Sequence, residues 1–245
     1  MSQLIDIESA KEFMNETLAK ADKNELIAIA HDLEGKRARF NEWLHPDTLM
    51  SLSESELTQL LRSIFSTRRK HKAILEAYPV DILRTHIYQL VHGSGDVGSR
   101  FQLFTDQLTV MDEGSRHEFA SELLHFYDPD KYWMWTRWMW DPAKNTGALT
   151  LVTTEGFDLA GQSTGETYLK VGKGVAFVHS VSEAADFQFI SRSLFGTDVF
   201  LSCVYSVYAY TVLRMRMTQE FNKVMPGLTE FSRRLLGVYN LQKAA

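Results

Sequence analysis

The chain has 245 residues, 26 Lys+Arg against 31 Asp+Glu, and a formal net charge of -5. At 44% hydrophobic, 23% charged and 12% aromatic residues it lies in the globular range, which excludes disordered, collagen-like and disulfide-scaffold classes. The single cysteine, Cys203, excludes an intrachain disulfide and any cysteine-based zinc or iron–sulfur site.

A compact chain of this length buries roughly 70–75% of its unfolded surface, so core material is not limiting. The opening MSQLIDIESAKEF carries acids early and has no apolar stretch, so no signal peptide is expected there. The longest uncharged apolar run, Val199 to Leu213, has fifteen residues. A membrane span needs about 20. The expectation is a soluble, cytoplasmic protein in a reducing compartment, with no membrane partner. The mild acidity argues against bulk nucleic-acid binding but leaves room for a local basic patch.

In chain order, residues 1–144 read as helices. Ser9 with Glu12, Ser53 with Glu56 and Ser115 with Glu118 match the S-x-x-E capping box. Leu26, Ile27, Ala30 and Leu33 recur at helical spacing, as do Leu57, Leu60, Leu61, Ile64 and Phe65. Asp128-Pro129 predicts a helix start, with the helix running through a tryptophan cluster until Asp141-Pro142 stops it. Residues 145–182 are glycine-dense. The runs Ala148 to Thr153, Thr167 to Val171 and Val175 to Val181 predict a small antiparallel β-meander near residues 147–181. Such a meander must pack on the helices to be stable. Residues 183–245 return to helix. A cap at Thr197 or Asp198 opens a buried helix reaching about Val224, ended by Pro226-Gly227, and a short last helix holds Phe231 to Leu236. Ser202, Ser206 and Ala209 form a small-residue strip that lets another element come close. The fold class is therefore mainly α (α+β), a single helical domain with an inserted meander.

The most unusual segment is Tyr132 to Trp140, where four of the five tryptophans fall within eight residues. On a helix, Trp133, Trp135, Trp138 and Trp140 cannot all face one side. Some must meet a ligand or partner, with Arg137 stacking by cation–π, unless the segment is wedged between packing layers. Glu122 and His125 form an E-x-x-H pair, one half of the pattern that carboxylate di-metal bundles use twice. With His117 they make an alternative metal site, although the second E-x-x-H is missing. Gly93, Gly95 and Gly98 match G-x-G-x-x-G, but the preceding run reads as helix and no βαβ units follow. The loop is read as a helix–glycine–helix turn whose backbone N–H groups can meet a ligand.

This turn, followed by Leu124-His125-Phe126-Tyr127-Asp128-Pro129-Asp130, resembles parts of the helix-hairpin-helix DNA glycosylase superfamily over about 45 residues. Where that family has a proline, an apolar residue and a lysine, this chain has His92, Ser94 and Val97. Trp135-Thr136-Arg137 stands where the family's catalytic aspartate is expected. The resemblance implies a DNA binder without the catalysis.

Two basic clusters, Lys36-Arg37-Ala38-Arg39 and Arg68-Arg69-Lys70-His71-Lys72, could contact phosphates or form solvated helix faces. Six Lys/Arg against two Glu make the stretch from Arg214 basic as well. No G-x-S-x-G is present, and Cys203 sits among apolar residues where a thiolate is disfavoured. The preferred expectation is a non-catalytic binding or accessory protein without a cofactor. Trp133, Trp135, Arg137, Trp138, Trp140, Gly93 and Gly95 would contact a protein partner or small ligand. The alternatives are a nucleic-acid binder using Arg68, Arg69, Lys70 and Lys72, and a metalloenzyme using Glu122, His125 and His117.

Overall fold

A computed structural model describes residues 4–216 and 226–239. Thirteen helices occur among the described residues: α1 (Ile7–Leu18), α2 (Lys23–Leu44), α3 (Pro46–Leu49), α4 (Glu54–Ser63), α5 (His71–Ala77), α6 (Val80–His92), α7 (Val97–Gln107), α8 (Glu113–Tyr127), α9 (Ala148–Val152), α10 (Thr164–Ser180), α11 (Gln188–Ser191), α12 (Gly196–Arg216) and α13 (Leu228–Leu235). None is long and apolar enough to cross a membrane. The chain divides into two compact units. One comprises Met1–Glu34, Trp138–Phe157 and Val175–Ala245, the other Gly35–Arg137 and Asp158–Gly174.

The starts of α1, α4, α7 and α8 follow short polar side chains. The Ser53–Glu56 capping box forms as expected, with the Glu56 N–H on Ser53 Oγ at 3.2 Å and the Ser53 N–H on Glu56 Oε2 at 2.7 Å. At the other two expected boxes the helix begins three residues earlier. Asp6 and Asp112 are the caps, and Ser9 and Ser115 sit inside the first turn. Each serine donates its N–H to one carboxylate oxygen and its hydroxyl to the other, and Asp96 with Ser99 repeats the arrangement. A carboxylate brings full charge to the positive end of the helix dipole, so it outcompetes a hydroxyl for the cap.

The expected β-meander at residues 147–181 does not exist. No strand occurs among the described residues, only the isolated bridges Ile5↔Thr153 and Asp141↔Thr146. The fold is all-helical. Two of the three expected strands, Thr167 to Val171 and Val175 to Val181, fall in α10. Its buried residues Tyr168, Val171, Val175 and Val178 recur every three or four positions, a helical period that the valines and glycines disguise. Ser163 caps it, accepting the Glu166 N–H at 3.2 Å. That S-x-x-E was legible in the sequence. The third strand is the one-turn helix α9. Its first donors are met by Trp138 and Met139 carbonyls, and Gly147 lies at φ 142°, where a Cβ would strike the Met139 carbonyl.

The Met1–Glu34, Trp138–Phe157, Val175–Ala245 unit is built around α12, which packs against α1, α9, α11 and α13. Its side chains from Val199 to Val204 are buried all round. The small-residue strip has its partner in α13, where Ser232 Oγ lies 3.1 Å from Ser206 Oγ. Burial pushes the neighbouring Cys203 thiol up to about 12, which keeps it protonated and inert. The expected continuation of this helix to Val224 lies partly outside the described residues, as does much of the basic C-terminal stretch.

In the Gly35–Arg137, Asp158–Gly174 unit, α8 packs between α6 and α7. The start of α10 crosses α7 at two glycines. A Cβ on Gly165 would lie 2.1 Å from the Gly98 carbonyl, and the Gly165 N–H donates to Gln102 Oε1 at 3.0 Å.

Candidate functional site

α8 carries an uninterrupted run of buried residues from His117 to Phe126, including His117, Glu118, Ser121, Glu122 and His125. Burying so many polar groups costs several kcal/mol unless each is bonded, so their partners explain their presence.

Most of those partners belong to the tryptophan segment, which is not the helix expected from Asp128-Pro129. Asp128 instead ends α8, and residues 132–136 follow as irregular chain. This chain runs back along α8. His125 Nδ1 bonds the Tyr132 carbonyl at 2.7 Å, the Trp135 N–H donates to Ser121 Oγ, and the Arg137 N–H donates to Glu118 Oε1 at 2.9 Å. α8 thus supplies, from its side chains, the hydrogen bonds that a helical Trp segment would have made internally. The Arg137 guanidinium then forks onto Glu118, Nε to Oε1 at 3.0 Å and Nη2 to Oε2 at 3.1 Å. It also lies 3.6 Å from Asp112.

The tryptophans separate. Trp135 is buried, with the His117 ring stacked parallel on it at 3.9 Å and Phe101 beyond at 6.1 Å. Phe101 in turn stacks on Tyr168 at 4.2 Å. Trp133 is half-buried, its Cδ1 3.6 Å from where a Gly172 Cβ would stand. Trp138 and Trp140 belong to the other unit and are buried there. Trp138 lies 6.4 Å from Tyr205, and Trp140 Nε1 donates to Asn145 Oδ1 at 3.1 Å. Of these four, only Trp133 keeps appreciable exposed surface, and Arg137 is engaged by carboxylates.

Glu122 is occupied by Lys36. Nζ sits 2.7 Å from Oε2, with Lys36 1% and Glu122 4% exposed. The ammonium also lies 4.0 Å from the Phe126 ring centroid and 5.6 Å from that of Phe40. Burial pushes the Glu122 carboxyl up and the Lys36 amine down, each opposed by its partner's charge. A metal ion at Glu122 would face this ammonium. Among the described residues no three His, Cys, Asp or Glu side chains come together as metal donors. His117, Glu122 and His125 therefore fit packing and hydrogen bonding better than cation binding. Lys36, read from the sequence as part of a surface cluster, is a core residue. Its spacing from Phe40 on one helix face was the available signal.

Gly93 and Gly95 form the α6–α7 turn. A Cβ on Gly93 would meet the Gln89 carbonyl at 2.3 Å, and Gly95 takes φ 97°. The carboxylate of Asp96 already caps the following helix.

The basic residues of the α4–α5 connection remain at the surface. Arg62, Arg69 and Lys72 are exposed and make no ion pair among the described residues. Lys70 pairs with Asp112, while Arg68 Nε donates to the Arg62 carbonyl at 3.2 Å. Burial of the Asp112 carboxylate favours its protonation, but bonds from Lys70 and Ser115 outweigh this and hold it well below the usual range. Both Arg68 and Arg39 lie close enough to Lys36 to repel its charge, so the fold brings the two sequence clusters to one neighbourhood. Beside Arg68 in the chain, Phe65 is 59% exposed, the most exposed large hydrophobic side chain among the described residues. Sequence reading assigned Phe65 to an apolar helix face. It lies outside α4, which ends at Ser63.

No protein-family model, curated protein or solved structure matches this chain.

Proposed function

We propose that this protein is a binding protein, cytoplasmic and non-catalytic, that takes nucleic acid at the α4–α5 turn. The observation that carries the reading is Phe65, 59% exposed in a turn flanked in the chain by Arg62, Arg69 and Lys72. An exposed aromatic ring among unpaired cations suits an unstacked base between phosphates, the combination by which proteins hold single strands without reading sequence. The reading replaces a tryptophan platform, because the indoles of Trp135, Trp138 and Trp140 are buried. Glu54 and Glu76 line the groove beyond Lys72 and bound the basic surface on that side.

Fluorescence anisotropy with a labelled oligonucleotide, single-stranded and duplex, tests it over a salt series. Binding of the single strand should be tighter. With three or four phosphate contacts, log K should fall against log salt with a slope of about -2 to -3. Phe65→Ala should weaken single-strand binding by roughly tenfold without changing that slope. Absence of salt-sensitive binding at about 50 mM salt would refute the reading.

A further inference from the structure

α7 and the first turns of α10 enclose an open groove of about 490 Å³, lined by Asp96, Gln102, Leu103, Asp106, Glu166 and Leu169 among others. Its apolar edges are Leu103, 49% exposed, and Leu169, 41% exposed. Asp96 and Asp106 accept bonds from neutral partners, Ser99 and the Gln102 amide, so their charges are not cancelled locally. Glu166 accepts the Gln162 N–H at 2.7 Å, and its other oxygen is 3.9 Å from Lys170 Nζ, whose shorter contact is Asp158 at 2.9 Å. No lysine or arginine lines the groove among the described residues. A volume of this size admits a large side chain with its flanking atoms. The surface therefore asks for an apolar anchor bracketed by cations.

The chain itself presents that chemistry. Phe65, bracketed by Arg62, Arg69 and Lys72, is an aromatic anchor with positive flanks, and it shares no residue with the groove. We propose that the protein self-associates head to tail, with the Phe65 turn of one copy seated between Leu103 and Leu169 of a second. The arginines and Lys72 then face Asp96, Asp106 and Glu166. The contact joins two different surfaces, so each dimer keeps one free turn and one free groove. Association continues into chains unless the rotation closes a ring. Electrostatic complementarity sets the register and makes association salt-sensitive. The contact shares Phe65 with the nucleic-acid reading but does not rest on it.

Sedimentation velocity without nucleic acid, from about 1 to about 300 μM protein, covers the range in which a small interface is populated. The expected result is a mass that rises with concentration at low salt and falls back at about 0.5 M salt. Phe65→Ala keeps the groove and loses the anchor. The double variant Leu103→Lys/Asp106→Lys keeps the anchor and loses the groove. All three positions are exposed, and far-UV circular dichroism verifies the helices. Each variant alone should self-associate at least about tenfold more weakly, as expected for loss of a central anchor or its pocket. Mixed one to one, they should form a heterodimer and stop there, since one intact turn meets one intact groove. A monomer at every concentration overturns the proposal. So does association that both variants retain, or a mixture that stays monomeric. The groove variant leaves the basic turn intact, so loss of association and loss of nucleic-acid binding are told apart.

Discussion

Glu122→Gln leaves the Lys36 ammonium 1% exposed and without its carboxylate, in contact with the Phe126 ring at 4.0 Å. Breaking one side of a buried pair costs about 3–5 kcal/mol, because the remaining charge stays desolvated. For a chain of 245 residues, 1 kcal/mol corresponds to about 2–4 °C, so Tm should drop by roughly 6–20 °C. Lys36→Met/Glu122→Leu removes both charges and keeps the volume, and should be neutral or more stable than the native protein by about 1–4 kcal/mol. Urea unfolding followed by circular dichroism measures all three proteins. The pH dependence gives a second reading. Lys36 has its folded value below the ordinary 10.5, so between the two values the unfolded chain binds the proton that the folded chain has lost, and stability rises with pH. Glu122 has its folded value above the ordinary 4.5, so across that interval stability falls as pH rises. Glu122→Gln should lose the acid limb and extend the alkaline one to lower pH. A Glu122→Gln cost below about 1 kcal/mol would refute the reasoning, because it would mean that the pair is solvated.

Two further substitutions test the packing. In α10, Gly172→Ala should stabilise by about 0.5–1 kcal/mol, because its Cβ meets only Trp133 Cδ1 at 3.6 Å, whereas Gly165→Ala should destabilise by more than this, its Cβ falling 2.1 Å from the Gly98 carbonyl. Chemical denaturation of both variants checks the opposite signs. Ser121→Ala strips the Trp135 N–H of its buried acceptor and should cost about 1–3 kcal/mol, with a shift in tryptophan fluorescence as the irregular segment loosens from α8.

What was legible in the sequence was local. The Ser53 cap, the turn at Gly93–Gly95 and the buried stripes of α4 and α12 follow from a few neighbouring residues, because period and a capping box are settled within one or two turns, whereas the expected starts at Ser9, Ser115 and Asp128 were displaced. The candidate site was legible only in its composition. Arg69 and Lys72 stood out as a charge run, but the exposure of Phe65 depends on where α4 stops. The contents of α10 were misread because its valines satisfy a strand pattern and a helix pattern alike, and one of the glycines that suggested turns, Gly165, instead lets α10 approach Gly98. By itself the sequence determined that residues 1–144 are largely helical, while it placed a β-meander where α9 and α10 stand. Only the tertiary structure decided that the tryptophan segment is not helical, that Lys36 is core and that α8 turns polar side chains inward. The reason is that backbone donors must be satisfied somewhere. The partners found by Trp135 and Arg137 lie fourteen and nineteen residues away in the chain, beyond the reach of any local pattern.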